Sequence, residues 1–293
     1  MPNATIAGLW RFPVKSMGGE AIEETVLTER GVVGDRAYAL IDTESGKVIS
    51  AKSAKRFPGI LDCSAAFIEP PGAQGTLTPV RISLPNGTSL DSDSASIHAD
   101  LSVYFGREVK LARVAPDDFA IEQYIPDVEH ADPSGRRDIF VDRKLGASLF
   151  AELGMPSPIP AGSFFDAFPL SLLTTSTIAH LSAAQPQSRF DQRRFRMNVF
   201  VRTDAAGFVE NDWVGQGLVI GDEVRIQVGM AAPRCVVTTL AQAGLPRDLD
   251  VLRTLVRLNR IPVANVGRLA CAGVYAVVTE PGTVRVGDWV TLE

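Results

Sequence analysis

The chain has 293 residues, of which 45% are hydrophobic and 22% charged, with a net charge of −5. That length suits one large domain or about two ordinary ones, and the composition excludes a disordered chain, a coiled coil and a collagen. The acidic total argues against a dedicated nucleic-acid binder, no apolar stretch approaches the ~18 residues of a membrane span, and Met1 to Trp10 lacks the basic and apolar regions of a signal peptide, which predicts a cytoplasmic protein.

Read in chain order, Phe12-Pro13-Val14-Lys15-Ser16-Met17-Gly18-Gly19 comes first. Lys and Ser before two glycines can bind an anion, because Gly lets backbone amides approach closely. Val33 to Asp42, with the Ser45-Gly46 turn and Lys47 to Ile49, predicts a hairpin, and Arg81 to Leu90 predicts another. The first of these opens on Gly34-Asp35-Arg36, where the Arg follows directly on a turn. Helices are expected over Ser96 to Phe105, stopped by Gly106, and more weakly over Leu145 to Leu153. Between them, Pro116 to Arg137 is rich in Asp, Pro and Gly and reads as a loop. A boundary near residue 125 within it divides the chain into 1–125 and 126–293.

In the second part, Leu170-Ser171-Leu172-Leu173-Thr174-Thr175-Ser176 puts three hydroxyls before a short helix, Thr175 to Ala184. One of them should cap the helix, whose free amides could hold a phosphate. Arg189 to Val201 then carries four arginines in eight residues and reads as entering a strand, with Arg194 and Arg196 on one face and Phe195 and Met197 on the other. Arg offers a planar fork suited to phosphate. Leu218 to Ile226 and Val284 to Leu292 both place Gly-Asp between alternating strands, and Asp248 to Arg260 is the clearest helix.

Three cysteines and three histidines (His98, His130, His180) are too scattered for a disulfide framework or a zinc motif. Phosphate-loop, dinucleotide, nucleophile-elbow and calcium-loop patterns are also absent. The most informative segment is Pro233-Arg234-Cys235-Val236-Val237-Thr238-Thr239. A neighbouring cation lowers a thiol's pKa and makes it a better nucleophile or soft-metal ligand. Taken alone, a free cysteine is more often a buried core thiol.

The ordered series PVKS, GDR, LLTTS, RRFRMN, PRCVVTT and PGTVRVGD resembles the MOSC-domain proteins with an N-terminal β-barrel-like domain, the group that includes the mitochondrial amidoxime reducing components. The resemblance covers nearly the whole chain. It implies a mainly β (α+β) fold, with a β-barrel-like domain over 1–125 and a MOSC β-barrel with a few short helices over 126–293. It also implies molybdenum cofactor, a phosphate-bearing pterin dithiolene (molybdopterin), with Cys235 supplying the protein thiolate to molybdenum. By the same resemblance Lys15, Ser16 and Arg36 reach the cofactor from the first domain. Thr174, Thr175 and Ser176 lie near pterin and phosphate, and Arg196, Asn198 and Arg234 complete the contacts.

Two departures stand out. Ala272-Gly273-Val274-Tyr275 lacks the Phe that many relatives carry before Gly, and Pro233 stands where some have Ser. The activity implied is reduction of small N-hydroxylated substrates by oxygen removal at molybdenum. Electrons would come from a separate ferredoxin-, flavin- or cytochrome-type partner, because no cysteine cluster for an iron–sulfur centre is present. Neither a nucleic acid nor a membrane partner is expected. The alternative is a non-catalytic carrier of the cofactor, or a handler of sulfur in its maturation. MOSC domains also occur in cofactor sulfurases, but no pyridoxal-phosphate domain accompanies this one. A third reading is an interaction protein with an incidental thiol.

Overall fold

The computed structural model describes residues 4–72, 76–116, 119–152 and 154–293. It is mainly β, with four α-helices among the described residues. The largest sheet runs, neighbour to neighbour, Val290–Leu292, Gly217–Ile220, Val224–Pro233, Gly267–Glu280, Leu170–Thr174, Val199–Arg202, Thr5–Arg11 and Glu20–Ile22. The ninth strand, Arg260–Val263, pairs with Gly267–Glu280. The ladders themselves form an open path, but a bridge between Thr5 and Trp289, with the Ile6 amide donating to Asp288 O and the Val290 amide to Ala4 O (both 2.9 Å), brings its first and seventh strands together. Its one parallel pair, Leu170–Thr174 with Val199–Arg202, is spanned by the helix Thr175–Ala184. A parallel pair needs such a crossover. Alternating residues such as Leu172, Val199, Val201, Ile226, Val274 and Ala276 form the core on its inner face.

A second apolar cluster gathers Val14, Met17, Leu40, Ile60, Ile82 and Leu101. Leu101 comes from the helix Ile97–Phe105, which ends at Gly106 in the left-handed conformation (φ 63°). There only glycine avoids a Cβ penalty. Both ends of the chain join the first cluster, through Ile6, Leu27 and Val284. Thr5–Arg11 belongs to the large sheet, and Gly282–Arg285 pairs with Glu24–Thr28.

The hairpins expected around Ser45-Gly46, Asn86-Gly87 and Gly221-Asp222 form, the first as a single bridge between Ile41 and Val48. The strands flanking Gly287-Asp288 instead pair with different partners. The clearest helix runs Asp250–Leu258 and the weaker one Ala147–Glu152, with Leu153 outside the described residues.

Two expectations need correction. Pro116 to Arg137 is not a loop throughout: Ala120–Ile125 is a strand paired with Ile139–Lys144, so position 125 is the last residue of a strand. Asp, Pro and Gly on either side masked the two-residue alternation of Ile121, Gln123 and Ile125. Asp117 and Asp118 lie outside the described residues. Arg194 and Arg196 do not share a strand face either. Asp191 caps a 3-10 turn, Gln192–Arg194, and Arg196 has φ 55°, which no extended strand allows. The strand begins only at Val199.

Candidate functional site: a cationic cleft around Cys235

A cavity of about 510 Å³ is lined by residues from both parts of the chain. Lys15, Ser16, Arg36, Arg196, Asn198, Arg234 and Cys235 all line it. Three of them hold left-handed backbone: Ser16 (φ 72°), Arg36 (φ 47°) and Arg196 (φ 55°). Each such non-glycine residue costs on the order of 1–2 kcal/mol, and strain of this kind concentrates at functional sites.

Local hydrogen bonds explain why these conformations persist. The Lys15 amide donates to Tyr38 O (2.8 Å) and the Arg36 amide to Phe12 O (2.8 Å). The buried Asp35 carboxylate accepts from the Phe12 amide (2.7 Å) and ion-pairs with Arg36. Arg36 Nη2 then donates to Arg196 O (2.9 Å), holding the second left-handed turn against the first. Both guanidinium carbons lie beside the Phe12 ring, at 4.6 Å and 4.4 Å from its centroid.

Ser16 Oγ accepts from the Ala51 amide (2.9 Å) and so fixes the 3-10 turn Ala51–Ser53, which carries Lys52. Lys15 Nζ donates to Phe164 O (2.7 Å) and pairs with Asp166, whose other oxygen meets Lys52 Nζ at 2.8 Å. Lys52 and Asp166 are site residues that sequence reading missed. Asp166 sits in Phe164-Phe165-Asp166-Ala167-Phe168, and a lone charge inside so apolar a run was the available signal.

Cys235 is partly exposed, lines the cavity and stands at the start of the 3-10 turn Val236–Thr239. The hydroxyls that follow it serve this turn: Thr238 Oγ1 donates to Cys235 O (2.9 Å) and Thr239 Oγ1 to Val236 O (2.8 Å). Beside it, Arg234 donates to Phe195 O and Met197 Sδ, while its buried Nε has no partner.

The cleft is crowded with positive charge. Burial, and then Arg36, push Arg196 down to about 9. Burial lowers Lys15 even though Asp166 opposes it. Burial would lower Lys52 as well, but Asp166 and then Cys235 outweigh it and the net shift is upward. Asp166 is held well below the carboxylate range, its burial overcome by the two lysines. Five cations (Lys15, Arg36, Lys52, Arg196, Arg234) thus face two carboxylates, Asp35 and Asp166. Desolvated cations in excess favour an anionic ligand.

One hydroxyl of the run caps the helix as expected, but the run does not face the cavity. Thr174, Thr175 and Ser176 do not line the cavity. Thr174 Oγ1 caps the Thr177 amide and donates to Glu210 Oε2 (2.6 Å). Ser176 Oγ meets Thr174 Oγ1 at 2.9 Å, and Thr175 Oγ1 accepts from the Thr203 amide. Glu210 also accepts from Thr177 Oγ1 (2.6 Å) and the Gly273 amide (3.0 Å). Strand alternation turns Ser171 toward the cavity instead, and its hydroxyl donates to Asn198 Oδ1 (2.8 Å). Asn198 also donates to Trp10 O (3.3 Å), so its amide mainly ties strands together. Arg194 is fully buried outside the cavity, donating to four backbone carbonyls.

The MOSC N-terminal beta barrel domain model matches residues 3–102 and the MOSC domain model residues 160–291. Mitochondrial amidoxime reducing component 2 of Rattus norvegicus is 26% identical over 97% of this chain and 82% of its own length. Mitochondrial amidoxime-reducing component 1 of Homo sapiens is 24% identical over 98% and 82%. Among solved structures, the YUAD protein from Bacillus subtilis aligns over 98% of this chain and 94% of that one, at 11% identity and a TM-score of 0.45. The chain is a MOSC-domain protein with a MOSC N-terminal β-barrel domain, similar along nearly its whole length to the mitochondrial amidoxime reducing components.

Proposed function

We propose that the cleft binds molybdenum cofactor and that the chain is a reductase of N-hydroxylated compounds. The observation that carries this is a partly exposed cysteine, Cys235, in a cavity that five cations also line. The residues fit such a group on chemistry. A soft thiolate suits a high-valent, sulfur-bound metal. Lys15, Lys52, Arg36 and Arg196 suit a phosphate, and Arg234 has a buried Nε to spare. Among the described residues no three His, Cys, Asp or Glu side chains cluster as a metal site, so a metal at Cys235 must bring further ligands with it.

When bound, the cofactor supplies the two-electron redox chemistry of the metal; the protein supplies binding and electrostatics. Cys235 would hold the metal, its turn fixed by Thr238. Lys15, Lys52, Arg36 and Arg196 would neutralise the phosphate. Asp166 keeps Lys15 and Lys52 oriented toward the cavity. The net reaction for an amidoxime is R–C(NH2)=N–OH + 2 e⁻ + 2 H⁺ → R–C(NH2)=NH + H2O, and a separate protein would deliver the electrons. The relatives' printed names support this class of substrate. No helix among the described residues is long and apolar enough to cross a membrane.

The test is molybdenum per protein by elemental mass spectrometry for wild type and Cys235→Ser, both expressed in a cofactor-overproducing host, followed by benzamidoxime reduction with a chemical electron donor. Near-stoichiometric metal in the wild type, sharply lower in the variant, with turnover of the wild type, is expected. Metal retained by a folded Cys235→Ser protein refutes the ligand assignment. Full loading without turnover leaves a cofactor carrier.

A further inference from the structure

The cavity extends well beyond the cations around Cys235. Its far wall comes from residues 120–155, which lie between the two stretches that the family models match. The strand pair Ala120–Ile125 and Ile139–Lys144 explains how. Its register sets Ile121 opposite Arg143, Gln123 opposite Val141 and Ile125 opposite Ile139, so these six share one face. Gln123, Ile125 and Arg143 of that face line the cavity. The other face carries Tyr124 and Phe140, whose rings lie 5.1 Å apart beneath Lys55.

This part of the cavity has two characters. One is aromatic and apolar: Phe150 meets Phe168 edge-on (5.8 Å), and Phe168 stacks parallel on Tyr275 (5.7 Å, 2°). Leu149 and Met230 add to it, and Met155 stays exposed in the lining. The other is cationic. Arg136 and Arg143 both bond the one buried carboxylate of Asp132, at 3.0 Å and 3.2 Å. Asp132 also accepts from the Ser134 amide (2.9 Å), and its carboxyl stays below the usual range, burial being outweighed by Arg136 and Ser134. Two guanidiniums thus share one carboxylate, and the buried Arg143 Nε has no partner. An apolar wall and an under-neutralised arginine pair in one cavity suit an apolar body bearing an anionic group.

Building on the proposed reductase activity, we infer that the part of the cavity walled by Ile125, Arg136, Arg143 and Phe150 together with Phe168 and Tyr275 is the substrate chamber, and that Arg136 and Arg143 select N-hydroxylated aromatic compounds carrying a carboxylate. The aromatic ring packs on the Phe150–Phe168–Tyr275 wall while the arginine pair receives the carboxylate. Arg143 is here a specificity residue and touches no reacting bond.

The experiment compares 4-carboxybenzamidoxime with benzamidoxime on the cofactor-loaded protein, in wild type, Arg143→Gln and Arg143→Lys, with molybdenum content and thermal midpoint measured on each sample. The wild type should favour the carboxylated compound in kcat/KM by about tenfold, the worth of one charge-assisted contact, mostly through KM. Arg143→Gln should erase that ratio and Arg143→Lys restore part of it. Calorimetric binding of the two compounds gives a readout that needs no turnover. If the loaded protein binds the carboxylated compound preferentially but reduces neither, the reductase reading fails and the chamber stands. A ratio near one in the wild type, or one unchanged in a folded Arg143→Gln protein, overturns the inference. So does a loss of molybdenum in Arg143→Gln, because the arginine pair would then serve the cofactor's own phosphate.

Discussion

Arg194 is the largest fully buried side chain among the described residues, yet it does not line the cavity. Its Nε donates to Arg189 O (2.9 Å), Nη1 to Thr238 O and Leu240 O (both 3.2 Å), and Nη2 to Pro246 O (2.7 Å). One guanidinium thereby clamps the segment after Cys235 to two other stretches of chain. Arg194→Met keeps the apolar stem and deletes all four donors. A hydrogen bond to a charged group contributes about 1.5–3 kcal/mol. The two longer bonds share one nitrogen, and Met escapes the cost of burying a charge, so the net loss should be about 3–5 kcal/mol. At about 2–3 °C per kcal/mol for a chain of this size, the thermal midpoint should fall roughly 6–15 °C. Urea unfolding and a thermal melt measure the loss directly. Arg194→Lys should recover less than half of it, since one ammonium cannot span three segments. Cofactor-loaded Arg194→Met, if still folded, should also hold less molybdenum, because the Cys235 turn loses its anchor. A loss below about 1 kcal/mol in Arg194→Met would refute the reasoning.

Other outcomes follow from the same structure. Gly273 has φ 82°, and a Cβ there would lie 2.4 Å from Leu172 O and 2.5 Å from Met197 Cε; Gly273→Ala should cost at least about 2 kcal/mol in urea unfolding, and a neutral result would mean that the strands part easily. Burial raises the Glu210 carboxyl despite its bonds to Thr174, Thr177 and Gly273. The unfolded chain therefore releases that proton first, and stability should fall as pH rises from about 4.5 toward the raised native value. Glu210→Gln cannot titrate, so its stability relative to wild type should climb across that window, and a constant difference counts against the assignment. Asp166 has the opposite sign: its depressed carboxyl contributes stability above about pH 3.8 that is lost as pH falls further. Asp166→Asn should cost about 1–3 kcal/mol at neutral pH, discounted because the carboxylate is partly open to solvent. The gap should close on acidification, and a gap that persists in acid would show that the loss is not electrostatic.

The parts of this protein most legible in its sequence are those governed by neighbours in the chain. Gly-Asp and Asn-Gly turns need positive φ wherever they occur, and the helix before Gly106 ends because of Gly106 itself. Cys235 could be singled out because Arg234 adjoins it. Hydroxyls are ambiguous at this level. Thr174, Thr175 and Ser176 before a helix look the same whether they cap it or meet a ligand, and only the approach of Glu210 and Thr203 decides. Arg194 and Arg196 misled for a related reason: alternation predicts a strand only if the backbone stays extended, and the Asp191 cap curls it first. Lys52 and Asp166 could not be paired by reading along the chain, because tertiary folding alone brings them together.

The construction of the cleft explains why its charges tolerate one another. Lys15, Arg36 and Lys52 come from the stretch matched by the first family model, and Asp166, Arg196, Arg234 and Cys235 from the second. The bonds that position them cross between the two: Lys15 to Phe164 O and Asp166, Lys52 to Asp166, Arg36 to Arg196 O. Each stretch alone would leave its cations near neighbours of like charge with fewer acceptors, and would hold left-handed residues without their clamps. Docking the two relieves part of both costs, and an anion in the cavity would relieve more. Ligand binding should therefore stabilise the whole chain and not only the residues that touch it, because the groups that receive the anion also join the two halves.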